Sequence, residues 1–296
     1  MKQIRTKWII GAAIGISLIG AGCGSSDKKD DPAFPLPEPV DLEVLEPVER
    51  TAHVNFIPGS VIQIESAFTG FKDKIDLNQN TDAKTILVVD RFAPLHVANF
   101  TWTLLVNSKD AKGEATTQQL TANVLGANLN DSPRLWLPVF WPEEEKASAR
   151  GTSGIWISRD RFEGLHRNRI STIDTSLLDP DSYGALGEDP NVHILFERLA
   201  SEAKRVSTRV DVNLSKGEKD LVRIPMLING KTLDIEVLKV TNWFGEFLIL
   251  DNPQNPLVLS FSFQDKNESG VPRFKGADLF KKLVDYRVTA LKDIVS

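Results

Sequence analysis

Short runs of β-branched and aromatic residues recur along this chain from His53 onward, and turn-forming residues separate them. In the run at 99–106, Phe100, Trp102 and Leu104 occupy alternate positions. This period of two is typical of a strand with one buried face, because successive side chains of a strand point to opposite faces. The pattern therefore predicts a domain built mainly from strands.

The dipeptide Asn229-Gly230 is the strongest local signal of strand pairing. It separates two strand-like runs, 222–228 and 232–240, and both residues tolerate the positive φ of a two-residue hairpin turn. The other predicted strands share the same β-branched content. They cover residues 61–64, 85–89, 116–125, 134–140, 206–214, 247–250 and 257–263.

Two segments have helical periodicity instead. Residues 158–169 predict a short polar helix with Phe162 and Leu165 on its inner face. A longer helix is predicted to follow Asp189 as N-cap, with Pro190 in the first position. Its predicted apolar face comprises Val192, Leu195, Phe196, Leu199 and Ala203. Residues 279–295 fit either a helix or a final strand.

These patterns predict a mainly β (α+β) fold, with an antiparallel β-sheet, sandwich or open barrel and one or two short helices. Hydrophobic residues make up 41% of the chain, which is enough for a substantial core. Cys23 is the only cysteine, so no disulfide within the chain can stabilise the fold and core burial must do so.

The N-terminus has the features of an export signal. Basic residues precede an apolar run at 8–19, and Gly20-Ala21-Gly22 precedes Cys23. The run is shorter than the about 20 residues that a membrane-spanning helix needs. A cysteine directly after small residues resembles the lipobox of bacterial lipoproteins, although Gly20 stands where that family usually has an aliphatic residue.

The resemblance implies that residues 1–22 are removed and that the Cys23 thiol carries a diacylglyceryl group. Two or three acyl chains together give stable anchoring in membrane lipid. Gly24 follows the cysteine, and in Gram-negative bacteria this implies transfer to the outer membrane. The alternative is an ordinary cleaved signal that leaves Cys23 as a free thiol.

Residues 24–39 predict an extended tether, because they combine charged residues with four prolines. In a polyproline II conformation such a segment spans up to ~50 Å. We therefore expect a signal peptide at 1–22, an anchor and tether at 23–50, and a β-rich domain at 51–296. A boundary between two subdomains would fall near 180–190, in a turn-rich acidic loop.

Two segments of the predicted domain, 153–165 and 247–259, resemble patches of uncharacterised exported β-rich bacterial domains. That resemblance implies an antiparallel architecture and no particular activity. The net charge of −5 disfavours nucleic-acid partners, since such proteins neutralise phosphates with lysine and arginine.

Motifs for catalysis or cofactor binding are incomplete in this sequence. Gly230-Lys231-Thr232 has the ending of a phosphate-binding loop, but Pro225 stands where that loop needs a glycine. Ser201 and Lys204 have the spacing of some acyl-transfer enzymes without the companion motifs. The four histidines are scattered. We therefore predict no catalytic residues and no cofactor.

One loop has a weak pattern for a metal site. Asp76, Asn78, Asn80 and Asp82 place side-chain oxygens at alternate positions, as calcium loops do. The glycine and the terminal glutamate of an EF-hand loop are replaced by Thr81 and Leu87. A polar loop rich in turn formers is the simpler interpretation.

The sequence favours a lipid-anchored, non-catalytic envelope module that binds an apolar ligand or another envelope protein. One alternative is an envelope hydrolase whose site is assembled from distant residues, and another is a purely structural assembly lipoprotein. A cluster of aromatic residues belongs either to a binding patch or to the core. Its members are Trp136, Phe140, Trp141 and Trp156.

Overall fold

The computed structural model describes residues 40–66, 82–109, 115–138, 146–178, 190–205 and 212–294. Eleven strands in these ranges form one sheet, and the predicted mainly β class is confirmed. Strands β1 to β11 are, in order, Val61–Ser66, Asp82–Ala93, Val97–Lys109, Ala115–Asn128, Lys146–Ser148, Ile170–Ile173, Val212–Ile228, Lys231–Thr241, Gly245–Leu250, Val258–Phe263 and Tyr286–Lys292.

The sheet has the order β5-β4-β3-β2-β1-β11-β10-β9-β8-β7-β6, with an additional pairing between β11 and β7. Neighbouring strands run antiparallel except β4–β5 and β11–β7, which are parallel. The β11–β7 pairing closes strands β7 to β11 into a ring, called the ring below. Strands β1 to β5 extend from β11 and are called the arm. Strands from both sides of residues 180–190 therefore share one sheet.

The Asn229-Gly230 turn forms as predicted. β7 ends at Ile228 and β8 begins at Lys231, and the two turn residues have φ of 49° and 83°. The Asn229 side chain also pairs with the C-terminal segment. Its Nδ2 donates to the Ile294 carbonyl at 3.1 Å, and its Oδ1 accepts from the Ile294 amide at 3.1 Å. The turn thus helps to fasten the end of the chain to the ring.

Four helices lie within the described ranges: α1 Pro47–Ala52, α2 Arg159–Asn168, α3 Pro190–Arg205 and α4 Ala277–Val284. The structure confirms the two predicted helices, including the inward residues of both. The ambiguous C-terminal segment contains a helix and a strand, α4 followed by β11. None of these helices has the length and apolar character needed to cross a bilayer.

The strand predicted at 134–140 is wrong where the structure describes it. Arg134 forms only an isolated bridge to Asp174, and the chain is irregular as far as Pro138. Prolines at 133 and 138 withhold amide donors from a ladder on both sides. Leu135 and Leu137 are nonetheless fully buried, so their apolar character reflects core packing rather than strand alternation.

Residues 40–50, which the sequence places in the tether, lie against the ring. The buried Arg50 side chain donates from Nε to the Leu42 carbonyl at 2.7 Å and from Nη2 to the Leu45 carbonyl at 2.6 Å. Its Nη1 donates to the carbonyl of Asp234, in β8, at 2.6 Å. One arginine therefore joins the entering chain, α1 and the ring.

Phenylalanines cover one face of the ring. Phe247 and Phe261 pair across β9 and β10 with ring centroids 4.7 Å apart. Phe280 of α4 lies 4.9 Å from Phe263 and 4.9 Å from Phe196 of α3. Helices α3 and α4 therefore pack over this face, and the opposite face, which carries Leu248, Ser260 and Arg287, is more exposed.

Candidate ligand-binding recess

The ring contains a split where β11 changes partners. β1 pairs along the length of β11 and occupies one of its edges, so β10 and β7 share the other edge. β10 pairs there at Tyr286 and Arg287, and β7 pairs at Ala290 and Leu291. Val288 and the next residue fall between these two pairings. An opening therefore lies between β10 and β7.

A recess of about 270 Å³ lies at this split. Apolar side chains form most of its wall, with two hydroxyl groups and one charged group. The lining residues are Ile224, Pro225, Met226, Leu248, Leu259, Ser260, Arg287, Val288 and Thr289. A largely apolar wall with a few converging polar groups is the usual composition of a small-molecule site.

Strand register places three of these residues side by side. Leu248 lies opposite Ser260, and Ser260 lies opposite Arg287. Residues directly opposite each other on paired strands present their side chains on the same face. One row across β9, β10 and β11 therefore changes from apolar to hydroxyl to cationic within two strand spacings of about 4.8 Å each.

Among the described residues that line the recess, Arg287 is the only charged one. Its Nη2 donates to Glu65 Oε2 at 3.1 Å, and the two side chains are 71% and 64% exposed. Such exposed ion pairs stabilise a fold by only about 0–1 kcal/mol, since water and salt screen them. A ligand can therefore replace Glu65 as the partner of Arg287 at small energetic cost.

The neighbouring Tyr286 is part of the core rather than of the site. Burial raises the pKa of its phenol well above the usual value, and the hydroxyl donates to the Val258 carbonyl at 3.4 Å. Tyr286 is therefore a neutral side chain of the core. The charge at the recess comes from Arg287.

One histidine–carboxylate pair bears on the hydrolase alternative. His166 Nε2 lies 2.8 Å from Asp251 Oδ1, and the imidazole packs on Phe162 with ring centroids 4.7 Å apart. A hydrolytic triad also needs a nucleophile within hydrogen-bond reach of the imidazole. In the described part of the chain, the hydrogen bonds of the His166 ring go to Asp251 and to no hydroxyl group.

The other motif residues are dispersed. Ser201 donates to the Glu197 carbonyl at 2.8 Å on the exposed side of α3, as an ordinary helix-surface serine does. Lys231 lies at the hairpin turn and pairs with Glu43. Trp156 is fully buried in the core, and Trp136 packs against the core from a partly buried position.

The calcium candidates and the lipidation site mostly lie outside the described residues. Cys23, Asp76, Asn78 and Asn80 are not described, and Asp82 is the first residue of β2, where only the backbone is described. Phe140 and Trp141 are also outside the described ranges. Among described residues, no group of three or more histidine, aspartate or glutamate side chains has the geometry to hold a metal ion.

Sequence reasoning found the strands of the recess but not the recess. Leu248 and Ser260 are ordinary members of alternating runs, and their pairing depends on the register of β9 and β10. The sequence feature that could have indicated the recess is Met226, because it is the only methionine beyond residue 1. Flexible methionines commonly fill irregular or adaptable apolar surfaces.

Comparisons of this chain with protein families, curated proteins and solved structures give no match.

Proposed function

We propose that this protein is a lipid-anchored module of the bacterial cell envelope that binds an apolar ligand in the recess of the ring. The anchor is acylated Cys23, and residues 24–39 hold the domain away from the bilayer. Outer-membrane location follows from Gly24 if the cell is Gram-negative. The observation that carries the binding function is the apolar recess between β10 and β7.

The size and wall of the recess support this function. The recess has a volume of about 270 Å³ and is partly open to solvent, so a ligand would bury part of its surface there. Ile224, Met226 and Leu248 supply apolar wall from two strands of the ring. Burial of ligand surface there contributes roughly 25 cal/mol per Å².

The uncharged fluorophore N-phenyl-1-naphthylamine tests the site directly. The protein is the full chain carrying Cys23→Ala, and the measurement is fluorescence enhancement in a titration. Ser260→Phe places an aromatic ring in the recess without removing a buried apolar side chain. We expect this variant to weaken binding about tenfold or more, equivalent to about 1.4 kcal/mol.

Ser262→Phe is the matched control. Ser262 is exposed, lies two residues further along β10 and does not line the recess, so its binding should equal that of the parent protein. Equal fluorophore binding by both variants, or no saturable binding by the parent protein, would contradict ligand binding in the recess. A partner protein or a hydrolytic reaction would then become the better explanation of the domain.

The anchor has a separate test. Cys23→Ala removes the thiol that would carry the acyl chains, so we expect the protein to be released or mislocalised and to lack the mass of the lipid. Membrane fractionation and intact mass measure both effects. Unchanged fractionation and mass in the variant would show that Cys23 is not lipidated.

A further inference from the structure

We propose that the ligand of the recess is an amphiphile with a single acyl chain and an anionic head, and that Arg287 binds the head. This inference rests on the proposed function and names the chemical class of the ligand. The chain would occupy the apolar wall, and the head would lie where the row from Leu248 to Ser260 reaches Arg287.

The polarity of the recess changes along one direction. Its β7 and β9 sides are apolar, with Ile224, Met226 and Leu248, whereas its β11 side carries Arg287 and Thr289 on either side of Val288. A ligand that is apolar throughout would leave this cationic side without a partner other than Glu65. An acyl chain with a charged head matches both parts of the wall.

The guanidinium group of Arg287 has donors to spare. Within the described ranges, its one side-chain hydrogen bond goes from Nη2 to Glu65, and an arginine carries five N–H donors. Carboxylates and phosphates accept two parallel N–H donors from one arginine. A bound head can therefore share Arg287 with Glu65 or replace Glu65 as its partner.

Two hydroxyl groups lie beside the arginine. Ser260 lies directly opposite Arg287 in the register of β10 and β11. The Thr289 hydroxyl donates to the Gln63 carbonyl at a long 3.4 Å. A hydroxyl has one donor, so Ser260 can donate to a head-group oxygen beside Arg287, and Thr289 can do so by giving up its long bond to Gln63.

The test is displacement of N-phenyl-1-naphthylamine by three ligands with the same ten-carbon chain: decanol, decanoate and decyl phosphate. All are used below their micelle concentrations, with the full chain carrying Cys23→Ala. We expect the two anions to compete at least about fivefold better than decanol, as one charge-assisted hydrogen bond would provide. The carboxylate and phosphate arms show which head the site prefers.

Two substitutions at the site sharpen the result. Arg287→Gln should remove the advantage of the anions while decanol binds as before. Glu65→Gln should increase the affinity for the anions about twofold, because Arg287 loses its competing partner. Arg91→Gln is the charge-matched control, since Arg91 is exposed on β2 and does not line the recess.

The outcomes separate this inference from the proposed function. Equal competition by decanol and decanoate, or an anion advantage that survives Arg287→Gln, overturns the anionic head and leaves apolar binding in place. Failure of N-phenyl-1-naphthylamine to bind the parent protein overturns the proposed function itself. Loss of the anion advantage in Arg91→Gln would show that the effect is only one of net charge.

Discussion

The ring and the arm use the same sheet in different ways. Ser260 in the ring, Arg287 in β11, and Glu65 and Lys84 in the arm lie in one cross-strand row on one face. In the arm, Glu65 and Lys84 of this row are exposed, and Thr101 on the same face donates to Asp90 at 2.9 Å. In the ring, β7 returns to β11, and the row borders the largely apolar recess at the split, with the Arg287 side chain 71% exposed.

The difference shows that strand pairing, rather than local composition alone, decides what surrounds the face of a strand. An open antiparallel sheet can leave one face in water. In the ring, β10 and β7 occupy different parts of one edge of β11, so the same face borders a recess there instead of a continuous sheet. Substitutions in the ring should therefore have larger effects than matched ones in the arm.

The largest effect is expected from Arg50→Met. The substitution leaves the carbonyls of Leu42, Leu45 and Asp234 without the donors that Arg50 provides. Unsatisfied buried polar groups cost about 1–3 kcal/mol each, so we expect a loss of about 3 kcal/mol in the free energy of unfolding. Urea denaturation measures it. Arg91→Met, on the exposed face of the arm, should change stability by less than about 0.5 kcal/mol.

A smaller effect is expected from Gly245→Ala in β9. A Cβ atom at this position would lie 2.4 Å from Phe261 Cε2 and 3.0 Å from Cζ, so the buried Phe261 ring would have to move. Overpacking of this kind costs about 1–3 kcal/mol. Gly151→Ala is the control, because nothing lies within 4 Å of its added Cβ. Equal thermal unfolding temperatures for the two variants would contradict the close packing of β9 against β10.

The parts of this fold that the sequence predicted are those that depend on neighbouring residues. The Asn229-Gly230 turn and the apolar face of α3 follow from periodicity and from the φ preferences of two residues. Closure of the ring does not follow from such local signals, because Leu227 of β7 pairs with Ala290 of β11, which lies far along the chain. The recess depends on that pairing, so Arg287 appears in the sequence as an ordinary exposed strand residue.

Helix α1 was missed for a related reason. Its six residues follow a proline-rich segment, begin with Pro47 and contain one glutamate, Glu49, so they are too few to show a helical period. Contacts made elsewhere hold it in place. The Asn252 side chain donates to the carbonyls of Thr51 and Val54 at 3.0 and 3.1 Å. Tertiary hydrogen bonds of this kind have no local sequence signature.

The smallest effect concerns acid stability at the helix that covers the ring. Arg205 donates two hydrogen bonds to the Glu202 carboxylate, and this lowers the pKa of Glu202 below its ordinary value. The stabilisation is therefore complete above the unfolded-state pKa near 4.5. It is lost as the pH falls through the lowered folded-state pKa.

We expect Glu202→Gln to lose about 0.5 kcal/mol of stability at pH 7, as ion pairs at this helical spacing typically contribute, and to match the parent protein near pH 2. Urea denaturation at the two pH values measures the difference. Arg205→Gln should reproduce the same pattern, because it removes the other partner of the pair. A Glu202→Gln penalty that persists unchanged at pH 2 would contradict the ion pair as its source.

The most direct test of ligand binding in the ring uses its methionine. The chain contains two methionines, Met1 and Met226, so ¹³C-methyl-methionine labelling gives a single reporter in the recess, assigned with Met226→Leu. The account predicts that decanoate shifts the Met226 methyl resonance in a saturable manner and leaves Met1 unchanged. Saturable binding of decanoate with an unmoved Met226 resonance would place the ligand elsewhere and contradict the account.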